Sequence, residues 1–312
     1  MFKSGSAERH PFNSLLLLLL LIFSGAFLFT MIGFALGAAI YGLEPMIKMS
    51  SGSAENIQIL KLIQIVTSVG MFVLPALWFA KMESNNWSAF LKLNNFSWVL
   101  AGLTILIMFG LAQFLEYIND LNKSMALPSF LKDLEAWMLL KEQQMEVITK
   151  QLLVMPSINS FLVNMLMLAI IPAVGEELTF RGCLQRIFSR WTGNYHAAIW
   201  ITAIIFSSIH FQFYGFMPRM LLGALFGYLF VWSGSLWIPI LGHFLNNAAA
   251  VVTAYVYQQN GKSVEEMFEM EAINMPFMFI GMAVSVILLR YFYASAMREN
   301  KLKTISDGSG LG

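Results

Sequence analysis

Read between successive Asp, Glu, Lys and Arg residues, the chain falls into long uncharged windows at 11–43, 62–80, 93–115, 151–175, 191–218, 220–261 and 272–289. A helix rises about 1.5 Å per residue, so about 20 mostly apolar residues cross a hydrocarbon core about 30 Å thick. Each window therefore predicts a bilayer-spanning helix. The window at 220–261 is too long for one span, and the run Trp232-Ser-Gly-Ser-Leu-Trp-Ile-Pro239 interrupts it with helix breakers and interfacial tryptophans. Divided there, the pattern predicts an all-α, polytopic membrane bundle of about eight transmembrane helices.

Between the third and fourth windows, residues 119–150 are charged yet carry Leu131, Leu134 and Met138 at helical spacing. That alternation predicts an amphipathic helix lying along the membrane surface. Leu15–Leu21 has the look of a signal-peptide core, with small residues near Ala38-Ala39, but the apolar run continues to Leu43. It is read as an uncleaved first helix. The organisation expected is an N-terminal block of spans with the amphipathic connection (1–156), a core (157–255), and a final loop, helix and tail (256–312). The tail from Ser306 onward is expected to be disordered.

An even number of spans puts both termini on one side, and basic residues near span ends favour the cytoplasm. One side collects 11 of the 19 basic residues, among them Lys3, Arg9, Lys81, Arg186, Arg190 and Arg298. Four of the remaining eight, Lys123, Lys132, Lys141 and Lys150, lie in the long mixed-charge connection, which counts for less. Both termini are predicted to be cytoplasmic.

Composition agrees with a multi-pass membrane protein. Hydrophobic residues make up 58% and charged residues 12%, with a mean hydropathy of +0.67, against about 45–50% apolar and about 25% charged in a soluble domain. An ordinary soluble enzyme is excluded. The net charge of +1 and the lack of a basic run offer nothing to neutralise phosphates, so nucleic acid is not an expected partner. Cys183 is the only cysteine, which rules out an internal disulfide and a cysteine-built zinc site.

Against this apolar background a few polar groups stand out. A carboxylate at bilayer depth costs roughly 2.5–3.5 kcal/mol, so an intramembrane acid marks a candidate functional site. Glu176 and Glu177 follow the apolar stretch 161–174. Glu177 and Arg181 are four residues apart, on one helical face, and can pair. Glu176 lies about 100° round the helix, free to face something else. Taken alone, the segment could equally be a solvated helix end. His210 in the apolar stretch 199–213, and His243 with Asn247 one turn on in 238–252, change that balance. A lone histidine is usually a hydrogen-bonded packing residue, but an acid, two histidines and an amide from three apolar helices form a set that packing does not explain.

Two chemistries are open to this set. Imidazole and carboxylate are good zinc ligands, so Glu176, His210 and His243 are candidate ligands if a metal is bound, with zinc the candidate ion. Without a metal, Glu176 can act as a general base on water while His243 and Asn247 stabilise the oxyanion. Both routes end in hydrolysis. Contiguous zinc motifs and G-x-S-x-G are absent.

At these residues the chain resembles the CAAX-protease and bacteriocin-processing family of intramembrane proteases, which includes the Ras-converting CAAX endopeptidase. Glu176-Glu177-Leu-Thr-Phe-Arg181 is similar to the family's E-E-x-x-x-R motif, Phe206-Ser-Ser-Ile-His210 to F-x-x-x-H, and His243-Phe-Leu-Asn-Asn247 to H-x-x-x-N. The resemblance covers about 161–252. It implies an intramembrane endopeptidase, usually described as metal-dependent, that cuts a membrane-associated or prenylated-type peptide or protein in the bilayer. It also implies that Glu176 and His210 position water or a metal, that His243 and Asn247 hold the oxyanion or complete the coordination, and that Glu177 and Arg181 belong to the site. Substrate is expected to enter from the cytoplasmic side or laterally. Two other classes fit the same residues: a non-catalytic membrane protein of bacteriocin immunity or peptide export, and a proton-coupled transporter.

Overall fold

The computed structural model describes residues 9–47, 54–93, 96–268 and 273–306. Lys3, Lys48 and the tail beyond Ser306 lie outside the described residues. Among the described residues every regular element is helical. The main helices are α1 (Pro11–Tyr41), α2 (Asn56–Glu83), α3 (Trp98–Lys123), α4 (Lys132–Leu152), α5 (Ile158–Thr192), α6 (Tyr195–Ser208), α7 (Phe216–Ser233), α8 (Trp237–Gln259) and α9 (Met275–Ser306). All except α4 correspond to the eight windows of the sequence.

Six segments, those of α1, α2, α3, α5, α7 and α9, are long and apolar enough to cross a membrane by length and composition. Helix α6 is shorter than its window. It ends at Ser208 after 14 residues, about 21 Å at the rise of an α-helix, and His210 lies in the turn that follows. Helix α8 has 23 residues, but His243, Asn246 and Asn247 dilute its apolar character. The break between α7 and α8 falls inside 232–239. Gly234 closes α7 with φ of 63°, a left-handed conformation that glycine adopts without a Cβ penalty.

Polar contacts sort the helix ends into two groups. At one end Glu83 at the close of α2 meets Arg9 and Arg190, each at 3.4 Å. Ser97 donates to Glu299 at 2.7 Å, and the Asn300 amide donates to the Trp232 carbonyl at 3.1 Å. The Leu236 backbone N–H bonds the Lys92 carbonyl at 3.0 Å. At the other end the Asn122 amide donates to the Phe213 carbonyl, and Gln258 donates to the Leu153 carbonyl. We refer to these as the Arg9 end and the His210 end. Residues 9 and 299 share one end, the arrangement expected for eight passes.

Helix α1 packs on α2, α3 on α9, and α6 on α7. Glycine permits the closest approaches: a Cβ at Gly70 on α2 would lie 2.1 Å from the Phe29 ring of α1, and one at Gly281 on α9 would lie 2.5 Å from the Gly110 carbonyl of α3. Without a hydrophobic force between helices in lipid, such contact drives their packing. Helix α4 buries none of its residues and lies against the His210 end, where Trp137 contacts Phe213 at 5.5 Å between ring centroids.

Candidate active site

Helix α5 carries the two glutamates on a short α-helical stretch, Ile171–Glu177, between two wider π-helical stretches, Met165–Ile170 and Leu178–Leu184. Pro172 has no N–H to give the carbonyl four residues back, that of Leu168. The Asn247 amide of α8 donates to this carbonyl at 3.1 Å. Neighbouring helices re-satisfy backbone groups freed by proline in this way inside a membrane. Thr179 of α5 donates to the Phe72 carbonyl of α2 at 2.9 Å, a second polar tie between packed helices.

The pair expected from the i,i+4 spacing is present. Arg181 Nη1 donates to Glu177 Oε1 at 2.6 Å, and both side chains are buried. Arg181 Nη2 donates to the Gly223 carbonyl at 2.9 Å, and the guanidinium carbon lies 5.0 Å from the Phe206 ring and 5.5 Å from the Phe226 ring. The charge is thus closed in by a carboxylate, a carbonyl and two aromatic rings. A 1% exposed side chain leaves no face for a substrate.

Glu177 Oε1 also accepts from His243 Nδ1 at 2.8 Å. A carboxylate has no proton to give, so Nδ1 carries the hydrogen and the Nε2 of a neutral ring keeps its lone pair. Phe226 stacks on the His243 ring at 5.5 Å and 19°. His243 Nε2 faces Glu176 Oε2 at 3.8 Å, too far for a direct hydrogen bond. Glu176 Oε2 is buried without a hydrogen-bond partner, whereas its side chain as a whole keeps 12% exposure. The two acids divide: Glu177 Oε1 holds both Arg181 and His243, with its Oε2 buried and unpartnered, whereas Glu176 Oε2 faces His243 Nε2 without a hydrogen bond.

His210 stands on the other side of Phe206. Its Nδ1 donates to the Phe206 carbonyl at 2.7 Å, which fixes the tautomer and leaves the Nε2 lone pair unspent. The Phe206 ring contacts both imidazoles, at 5.0 Å from His210 and 6.1 Å from His243. Phe211, next in sequence, adopts a left-handed φ of 52°, uncommon for a residue with a Cβ. The structure thus joins Glu176, Glu177, Arg181 and His243 in direct contact, with His210 reached through Phe206. Asn247 Nδ2 is spent on the Leu168 carbonyl, and its Oδ1 accepts from Asn246 Nδ2 at 3.1 Å.

Zinc is a candidate ion for Glu176, His210 and His243 by residue type. Among the described residues no three His, Cys, Asp or Glu side chains gather closely enough to hold a metal ion. As arranged, these donors do not form a three-ligand set.

Residues 158–249 match a protein family described as type II CAAX prenyl endopeptidase Rce1-like. That segment is similar to the Rce1-like family. All six site residues of the sequence analysis fall inside it. An uncharacterized protein of Bacillus subtilis (strain 168), YpbD, is 28% identical over 89 residues, which cover 27% of this chain and 42% of YpbD. The match thus spans less than half of that relative's length. No solved structure matches the chain. The Rce1-like segment contains α5, α6, α7 and most of α8, and α1, α2, α3 and α9 pack around it.

One further charged residue lies at the His210 end. Arg219, in the first turn of α7, donates from Nη2 to Gln212 Oε1 at 2.7 Å and from Nη1 to the Gln212 carbonyl at 3.4 Å. Gln212 thus ties Arg219 to the turn that carries His210. Its isolation was visible in the sequence: Arg219 is the only charge between Arg190 and Lys262. On the other side the Arg9 end is closed by buried Leu178, Phe180, Leu184, Leu236 and Ile240.

Proposed function

We propose that the protein is an intramembrane endopeptidase in which Glu176 activates water for attack on a peptide bond. The observation that carries this reading is the pair of facing acceptors, Glu176 Oε2 and His243 Nε2, 3.8 Å apart. One water can donate a hydrogen to each, which leaves its oxygen lone pairs directed away from both. Glu177 supports the arrangement by holding His243 in the required tautomer, and Arg181 holds Glu177. His210, with Nε2 unspent, is placed to orient the substrate or share the proton. The Rce1-like segment supports the same class of chemistry, and its family description points to a prenylated or other membrane-associated peptide.

The basic-residue count supports an orientation with the Arg9 end in the cytoplasm. The turn that carries His210 then lies toward the extracytoplasmic face. Hydrolysis is tested with purified protein in liposomes and a quenched fluorogenic peptide bearing an S-farnesyl cysteine, with and without a chelator. Cleavage in both conditions supports the glutamate route. Cleavage abolished by the chelator and restored by zinc assigns the water to a metal instead.

A further inference from the structure

We infer that the groove between α1 and α2 is a binding site for one anionic phospholipid, with an acyl chain along the groove and the phosphate at Lys81. The site lies apart from the paired glutamates and does not rest on the hydrolytic reading. The groove has a volume of about 610 Å³, within the about 300–1,000 Å³ of small-molecule sites. All of its lining belongs to α1 and α2, chiefly Leu21, Leu28 and Phe29 on the first and Leu74, Trp78 and Lys81 on the second. Those positions share one face of each helix, so they form two continuous stripes that face each other.

Length and charge select the occupant. From Gly70 to Lys81, α2 rises about 17 Å, close to the about 15 Å of hydrocarbon in one leaflet. At the inner end the helices meet at Gly25 and Gly70, where a Cβ on Gly25 would lie 2.1 Å from the Gly70 carbonyl. At the outer end Lys81 is exposed, and its ammonium lies 5.9 Å from the centre of the Trp87 ring. Among the described residues no carboxylate pairs with Lys81. Glu83, two residues on, is already shared by Arg9 and Arg190 at 3.4 Å each. Three cations therefore stand against one acid at this end, and a headgroup of net negative charge complements them. In the orientation that the basic-residue count supports, Lys81 meets the cytoplasmic leaflet, where anionic lipid is found. The other face of the same stretch of α2 packs on α5: Ala76, Phe79 and Ala80 are fully buried. A Cβ at Gly175, next to Glu176, would lie 2.9 Å from Phe72 Cβ. Lipid in the groove thus covers the outer face of a helix whose inner face backs the glutamates, and its binding stabilises the folded protein by mass action.

The experiment is native mass spectrometry and thermal melting of the purified protein in detergent, with phosphatidylglycerol or phosphatidylcholine of the same acyl chains added. Wild type is expected to retain one phosphatidylglycerol and to melt higher with it than with phosphatidylcholine. Lys81→Gln is expected to weaken phosphatidylglycerol retention about fivefold, the factor for about 1 kcal/mol per basic group at an anionic surface. Lys81→Arg should keep it, as should Lys301→Gln, which removes an exposed cation of α9 outside the groove. Ser24→Trp puts a ring into the groove from an exposed lining position and should lower retention at least as far as Lys81→Gln. Equal retention of the two lipids would make the groove an ordinary lipid-facing crevice and overturn the inference. Wild-type retention by Lys81→Gln would overturn it too, and so would an equal loss in Lys301→Gln, which would assign the preference to the charge of the whole end. Neither readout uses peptide cleavage, so the result is independent of the proposed function.

Discussion

The side-chain amide of Asn247 donates to the carbonyl of Leu168 at 3.1 Å, the carbonyl that Pro172 cannot serve four residues later. The bond ties α8 to α5 next to the paired glutamates. Asn247→Ala is expected to cost about 1–3 kcal/mol of stability, the penalty for stranding a buried carbonyl, in addition to any loss of activity. Pro172→Ala supplies the missing N–H, so in that background Asn247→Ala should cost measurably less. A double-mutant cycle by thermal or chemical unfolding in detergent checks this coupling. Additive effects would mean that proline and amide are unrelated.

Removing Glu177 leaves the Arg181 charge buried beside two aromatic rings with only the Gly223 carbonyl for company. Glu177→Ala is expected to destabilise by about 3–5 kcal/mol, whereas replacing Glu177 and Arg181 together by apolar residues should cost far less. The same single substitution also releases His243. Melting measurements on the single and double variants separate the two outcomes.

The sharpest steric prediction concerns the contact between α1 and α2. At Gly70 even a methyl group would lie 2.1 Å from Phe29, and at Gly25 the same distance from the Gly70 carbonyl. Gly25→Ala meets the Gly70 carbonyl, and Gly70→Ala meets Phe29 at its Cβ, 2.2 Å away, as well as its ring, so neither obstacle can swing aside. Overpacking of this kind costs about 1–3 kcal/mol, and both variants should melt below wild type. A wild-type melting temperature for either would contradict the contact.

Topology can be read by labelling. Cys183 is buried, so replacing it with serine gives a cysteine-free background for reporters at exposed positions. A cysteine at Phe211, on the His210 end, should react with a membrane-impermeant maleimide added outside intact cells. One at Trp87, beside the Arg9 end, should react only after the membrane is opened. The reverse pattern would invert the orientation and put His210 toward the cytoplasm.

Charge alone exposed most of the bundle in the sequence, because an ionisable residue is costly wherever lipid must be crossed and so brackets each span. The glycine and proline of 232–239 located the turn between α7 and α8 for the same physical reason they break helices anywhere. The i,i+4 spacing of Glu177 and Arg181 was sufficient to anticipate their ion pair. Spacing could not tell that α6 stops at Ser208, since Ile209, Phe211 and Phe213 continue the apolar character past the helix end. Nor could it show that Asn247 turns its amide to the Leu168 carbonyl, which depends on how α8 lies against a proline kink in another helix. Arg219 was visible as an isolated charge, yet its hold on Gln212 in the turn after His210 is a tertiary fact.

Everything in the proposed chemistry depends on the uncommitted carboxylate of Glu176. The most direct measurement is single-turnover cleavage of the liposome-bound S-farnesyl peptide by wild type and Glu176→Gln, alongside melting of both proteins. General-base catalysis contributes roughly 10²–10⁴-fold, so the variant should lose at least that much rate while melting within a few degrees of wild type. A Glu176→Gln protein that cleaves at the wild-type rate would contradict the account.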